Sequence, residues 1–155
     1  MTTPAPRMTE QESNAWLGLV TVSQLLPNVL DAQLLRDSQM THFEFTVLSS
    51  LYVAPEATLQ MSHLARETAA TLPRLSHVCT RMEKRGLLER VPCPDDRRAT
   101  NARLTSLGRR AFIRAIPQHI ELVRELVIDA LSSEELDALG AISAKINARL
   151  AERQG

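Results

Sequence analysis

The sequence predicts a mainly α fold with a small β wing, and three observations predict it. Laid on a helix at about 100° per residue, residues 72–85 gather Leu75, Val78, Cys79 and Met82 into an arc roughly 100° wide, one buried face. Gly86 follows directly, and glycine enters the left-handed conformation that ends helices without steric cost. Two short apolar runs, Leu87–Val91 and Ala102–Thr105, then flank a polar loop from Pro92 to Asn101 that carries Asp95, Asp96, Arg97 and Arg98, the pattern of a hairpin with a charged tip.

The remaining elements follow in chain order. Residues 1–8 are polar and hold two prolines, so a disordered tail is expected. Thr9 and Glu12 have capping-box spacing, and Trp16, Leu17, Val20, Leu25, Leu26, Val29 and Leu30 keep a helical period toward Arg36. Pro27 lies inside that helix and predicts a kink or break near Gln24–Pro27. Thr41 and Glu44 repeat the capping-box spacing and open a helix that turns Phe45, Leu48 and Leu51 inward and ends near Tyr52. Met61–Thr68, a turn at Ala69 and Ala70, and a helix capped by Thr71 with Pro73 in its first turn make a helix-turn-helix. Thr105 caps a helix from Ser106 to Leu131 with Pro117 as a second kink point, and a box at Ser132 and Glu135 opens the last helix, carrying Leu136, Leu139, Ile142, Ile146 and Leu150.

A chain of 155 residues, 44% of them apolar, is enough for a real core. Formal net charge is zero, but charge is unevenly spread: between Arg74 and Arg114 eleven Lys or Arg stand against four Asp or Glu, a local +7 that leaves −7 for the remainder. A basic segment in a neutral chain marks a face for an anionic partner. On the predicted helix Arg74, His77, Arg81 and Lys84 share a stripe about 80° wide, apart from the buried arc. A solvated helix face is the plainest reading of such a stripe taken alone. Its setting, the second helix of a helix-turn-helix followed by a basic hairpin, points to DNA.

At these residues a family resemblance becomes specific. The run RMEKRGLLERVPCPDDRRATNARLTSLG, Arg81–Gly108, is similar to the recognition-helix end and wing of the MarR family of bacterial winged helix-turn-helix regulators. The family pattern is a leucine, two polar residues, Arg-Gly-Leu-(Val/Leu)-x-Arg, then Asp-x-Arg and Leu-Thr-x-x-Gly; Met82 in place of leucine and Cys93 in the wing are the departures. The similarity extends from about Trp16 to Leu150. It implies a winged helix-turn-helix core over residues 41–105, with 9–40 and 106–155 supplying mainly dimerisation helices, in a single unit from 9 to 155. It further implies a homodimer on a pseudo-palindromic double-stranded operator, usually a repressor, released by a small aromatic acid or phenol bound between dimerisation helices and core. Trp16 and Phe45 are the aromatic candidates for that effector site.

Within this frame Arg74 and His77, near the helix N-terminus, are candidates for base edges, Ser76 for a base or a phosphate, and Arg81 and Lys84 for phosphates. The resemblance assigns Asp96 to fixing the wing through its arginine and a tip arginine to the minor groove; Arg97 and Arg98 are both candidates. Two rival readings are a winged-helix protein-interaction adaptor and a thiol-based redox regulator acting through Cys93, whose neighbours Arg90, Arg97 and Arg98 favour thiolate.

Other classes find no support. His42, His63, His77 and His119 show no ligand spacing, no glycine loop cradles phosphate and no nucleophile elbow is present, so neither enzyme, metal nor cofactor is expected. Cys79 on the apolar arc and Cys93 do not make a disulfide framework. No apolar run spans a bilayer and the N-terminus lacks a leader pattern, so a cytoplasmic protein is expected.

Overall fold

All three capping boxes close in the computed structural model, which describes residues 7–153. Most of the expected tail lies outside that range; Arg7 and Met8, within it, are exposed and non-helical. The element order is α1 (Glu10–Ser38), α2 (His42–Val53), a 3-10 turn (Pro55–Ala57), β1 (Thr58–Gln60), α3 (Met61–Glu67), α4 (Leu72–Lys84), β2 (Leu88–Cys93), β3 (Asp96–Leu104), α5 (Ser106–Val123), a π-helical turn (Arg124–Ile128) and α6 (Ser133–Ala151). The chain forms two compact units, Met1–Ala115 and Ile116–Gly155, and α5 passes from the first into the second.

The first unit holds a core drawn from every one of its helices. Leu30 and Leu34 of α1, Phe45, Val47, Leu48 and Leu51 of α2, Leu64 of α3, Leu75, Cys79 and Met82 of α4, and Phe112 and Ala115 of α5 are all buried. Phe112 packs tilted against Phe45 and Tyr52, with ring centroids 5.0 and 5.1 Å away, a geometry that adds to simple area burial. Only the end of α1 takes part: its buried residues are Leu30, Gln33 and Leu34, whereas Trp16, Leu17, Leu19, Val22, Leu25 and Val29 are exposed. In the second unit α6 buries none of its 19 residues.

Four sequence expectations are corrected. Helix α1 runs unbroken through Pro27. The proline removes one donor, and the helix is held on either side by the Thr9 box and by a left-handed Gln39 (φ 54°), with Leu30 and Leu34 anchored in the core beyond it. A third strand, β1, was not foreseen, because three residues carry no readable period; pairing with β3 (Thr58↔Arg103, Leu59↔Ala102, Gln60↔Asn101) makes them a strand, giving the antiparallel order β1-β3-β2. The loop expected from Pro92 to Asn101 is itself mostly strand, reduced to a turn at Pro94 and Asp95. Backbone pairing continues across polar residues, which an apolar pattern cannot register. Finally the helix opened by Ser106 gives way at Arg124 to a π turn that stops at Asp129, where Arg124 and Asp129 are paired at 2.5 Å.

The helix-turn-helix turn is tight. Thr68 Oγ1 donates to the Leu64 carbonyl at 2.7 Å, the Ala70 N–H reaches the Ala65 carbonyl at 2.9 Å, and Ala69 adopts φ 51°. The recognition helix α4 begins under the Thr71 side chain, which accepts from the Arg74 N–H, and ends in a two-bond closure. There the Leu87 N–H donates to the Met82 carbonyl (3.0 Å) and the Gly86 N–H to the Glu83 carbonyl (2.9 Å), with Gly86 at φ 75°.

Immediately afterwards three chain segments converge. The Thr105 N–H donates to the Leu87 carbonyl (3.2 Å), the Thr105 hydroxyl donates to the Gly86 carbonyl (2.6 Å), and the same hydroxyl oxygen accepts from the Gly108 N–H (3.0 Å). A Cβ on Gly108 would collide with the backbone carbonyl of Leu87. The Leu-Thr-x-x-Gly pattern is therefore a close backbone approach locked by one threonine. Gly108→Ala is expected to cost about 2–3 kcal/mol, since the obstacle is backbone and cannot rotate away; a urea unfolding midpoint equal to that of the parent would remove this account.

Candidate nucleic-acid interface

Helix α4 presents its buried arc to the core and divides its remaining surface between two clefts. On one flank Arg74, His77 and Arg81 line a cleft of about 720 Å³ with Pro27 and Asp31 of α1, Thr41, His42, Phe43 and Thr46 around the start of α2, and Ala69 of the turn. On the other flank Leu72 and Ser76 line a smaller cleft of about 330 Å³ with Gln60, Met61, Ser62, Arg90, Arg98, Ala99 and Thr100. The sequence-derived stripe is thus brought together only in part: Arg74, His77 and Arg81 share one cleft, Ser76 joins Arg98 across the other, and Lys84 lines neither. His77 and Lys84 are exposed.

The wing positions Arg97 and Arg98 by an irregularity in the ladder. Residues pair in step from Leu88↔Leu104 to Pro92↔Thr100, after which Cys93 pairs with Asp96. Arg97, Arg98 and Ala99 are consequently extra residues on β3, and a bulge of this kind bends the strand and re-aims its side chains. Asp96 does support the turn, but its carboxylate accepts from the Arg98 backbone N–H at 2.9 Å. The arginine side chain expected to hold it is not the partner, so both tip guanidinium groups stay available.

Acidic residues that sequence reasoning did not single out for the site hold its other arginines. Buried Glu44 caps α2 through the Thr41 N–H (3.0 Å), pairs with Arg85 at 3.1 Å and lies 3.9 Å from Arg81. Arg85 also donates to the Gln39 carbonyl at 2.6 Å, tying the end of α4 to the α1–α2 corner. Glu83 accepts from the Arg90 N–H (2.7 Å) and from its guanidinium (3.3 Å), while Arg90 also donates to Thr80 Oγ1 (3.0 Å). This clamp fixes the base of the wing on α4. The Arg90 guanidinium, and then its backbone N–H, hold the Glu83 carboxyl below the usual carboxylate range. Glu89 pairs with Arg103 across the strands at 2.7 Å. Arg74 lies over the Phe43 ring at 4.3 Å, a cation–π contact that settles its guanidinium without neutralising it. Glu44 was legible as a capping residue; that it anchors an arginine 41 residues away, and that Glu83 reaches across the end of α4 to Arg90, carries no periodic signal.

The other sequence candidates fall elsewhere. Phe45 is buried against Phe112, and Trp16 is 53% exposed on α1; neither lines the two clefts beside α4. Cys79 is buried and its thiol is pushed up to about 11 by burial, whereas Cys93 is half-buried in the wing. Burial lowers the His42 imidazole against an opposing effect of Asp31, and His63 pairs with Glu67 at 3.1 Å. Among the described residues no group of three or more His, Cys, Asp or Glu is arranged to hold a metal ion, and no helix is long and apolar enough to cross a membrane.

Comparison with known proteins agrees with this geometry. The MarR family model matches residues 38–99. The structure of Sco3205, a MarR family transcriptional regulator from Streptomyces coelicolor in complex with DNA, is similar at 36% identity and TM-score 0.88, covering 94% of this chain and 91% of that one. AbsC, a MarR family transcriptional regulator from the same organism, is similar at 32% identity and TM-score 0.90, covering 96% and 99%. A mutant MarR from E. coli complexed with operator DNA shares the fold at 24% identity and TM-score 0.73, covering 90% of this chain and 99% of that one.

Two outcomes follow from the ionisations. Because the folded value of Glu83 is depressed, its contribution is present above the ordinary glutamate pKa of about 4.3 and is lost as pH falls through the folded value. Glu83→Gln should be less stable than the parent by no more than about 1 kcal/mol at neutral pH, given partial exposure, with the gap closing in acid. A gap constant from pH 7 to about pH 3 would exclude the clamp as its source. At pH 8 a disulfide reagent should titrate Cys93 in the folded protein and both thiols in urea, since Cys79 is buried and neutral; rapid reaction of Cys79 in the folded state contradicts this.

Proposed function

The chain belongs to the MarR family of transcriptional regulators, and from that premise we propose that it binds double-stranded DNA sequence-specifically as a homodimer, acts as a repressor, and is released by a small-molecule effector. The observation that carries DNA binding is the cleft shared by Ser76 of α4 and Arg98 of the wing. A duplex offers one sugar-phosphate ridge between its major and minor grooves, so a helix in the first and a hairpin at the second must straddle it. Ser76 and Arg98 are assigned to that ridge, Arg97 to the narrow minor groove, and Arg74 and His77 to base edges beside the start of α4. Arg81 and Lys84 are assigned to phosphates, and Asp96 to holding the wing turn.

Dimerisation is supported by apolar surface that the chain leaves uncovered. Trp16, Leu17, Val22 and Leu25 of α1 are more than half exposed, and α6 carries Ile142 and Leu150 exposed at 54% and 56%. Contiguous exposed apolar surface marks association sites. Residues 9–40 and 106–155 are therefore assigned to the two-fold interface, which sets the half-sites about one helical turn, roughly 10 bp, apart. The larger cleft beside α4 is assigned as the effector site for a small aromatic acid: it joins the Phe43 ring to the cations Arg74 and Arg81, with the carboxylates of Asp31 and Glu67 also on its wall. Occupancy there would engage groups assigned to DNA, and the two ligands would weaken each other reciprocally. A protein-interaction adaptor would have no use for unneutralised arginines at a wing tip.

Selection of binding sites from random duplexes at two salt concentrations tests the reading: a pseudo-palindrome whose affinity falls steeply with salt is expected, and a salt-insensitive or absent preference overturns it. Arg98→Ala should weaken binding and reduce the salt slope by about one, with an unchanged unfolding midpoint. The fold is spared because the wing turn uses the backbone N–H of residue 98, which alanine retains.

A further inference from the structure

We propose that Leu72 reads thymine, packing its side chain on the 5-methyl group of one thymine in each half-site; the assignment rests on the DNA-binding reading above. Leu72 is the first residue of α4, directly after the Thr71 cap, in the turn from which recognition helices reach base edges. Among the described residues it is the only large apolar side chain exposed between Val53 and Leu107, at 48%, in a stretch that contains the whole helix-turn-helix and wing. Nearly half of its surface is open to solvent. A hydrophobic staple at this helix start would use the residue before the cap and the fourth helical residue, Ala70 and Leu75, and Leu75 is buried.

Its surroundings are mixed: Leu72 lines the smaller cleft with Met61 and Ala99 beside Ser62, Ser76, Arg90 and Arg98, and it stays 48% exposed. Leucine neither donates nor accepts a hydrogen bond, and its neighbour Pro73, also exposed, has no N–H to offer. In the major groove the thymine methyl is the largest apolar feature on a base edge, far exceeding the small C–H edges of cytosine and the purines, and the remaining edge groups are hydrogen-bonding nitrogens and oxygens. Ser76 and Arg98 at the same cleft hold the adjacent ridge, which fixes how far Leu72 reaches into the groove.

The test replaces each thymine of the selected operator in turn by deoxyuridine, which removes only the methyl. At one position per half-site the parent protein should lose about four-fold in affinity, the worth of one buried methyl group. Leu72→Ala should bind the thymine and uracil duplexes equally, and Leu72→Met should keep the preference, with unfolding midpoints of both variants matching the parent. Equal affinity of the parent for thymine and uracil at every position overturns the inference, as does a preference that survives in Leu72→Ala. A protein that retains no duplex in the selection overturns the DNA reading and this inference with it, an outcome distinct from binding that ignores the methyl.

Discussion

The backbone carbonyl of Leu87 is where this protein's binding surface is assembled. From the α4 side it is placed by the Gly86 closure, from the sheet side it accepts the Thr105 N–H, and from the α5 side it is pressed by a residue that must lack a Cβ. Helix, wing and following helix are thereby fixed to one another through main chain, which has few alternative conformations. Side chains alone would leave the hairpin free to swing. With the junction made, the Glu83–Arg90–Thr80 clamp needs only to hold a wing already in position.

Charge in the basic segment is divided between holding and reaching. Arg85, Arg90 and Arg103 are paired with carboxylates, Arg81 lies at the edge of the buried Glu44, and Arg74 and Arg109 sit over aromatic rings. Lys84, Arg97, Arg98, Arg110 and Arg114 have no ion-pair partner within the described residues. The local charge of +7 already subtracts Glu83 and Glu89, the buried Glu44 from outside the segment offsets one charge more, and the cations without a carboxylate partner lie on α4, the wing tip and α5. Rigid placement of the paired arginines lowers the entropic cost of ordering the unpaired ones when a duplex arrives.

The two clefts beside α4 give that helix two distinct neighbours. On the wing side it shares a surface with the part of the sheet that carries Arg98; on the other side it shares one with α1 and α2, which supply Asp31, His42 and Phe43. Arg74 belongs to the second setting through its contact with Phe43.

Helix starts and stops and the apolar face of α4 were legible in the sequence. The capping pairs Thr9–Glu12, Thr41–Glu44 and Ser132–Glu135, the apolar arc of α4, the glycine that ends it and the basic tip are interactions among residues a few positions apart, and composition alone specifies them. The same holds for Leu-Thr-x-x-Gly as a pattern, though its reason, a carbonyl eighteen residues before Thr105, emerges only in three dimensions. What tertiary structure decided are the relations between distant segments. Strand β1 exists because β3 offers it a partner, the wing is strand almost to its tip because the ladder continues across polar residues, and Glu44 and Glu83 matter because folding brings Arg85 and Arg90 to them. Periodicity reports which face of an element is apolar, but it carries no information on which other element meets that face. For that reason the helical stripe was readable from the chain, and the cleft that Ser76 shares with Arg98 was not.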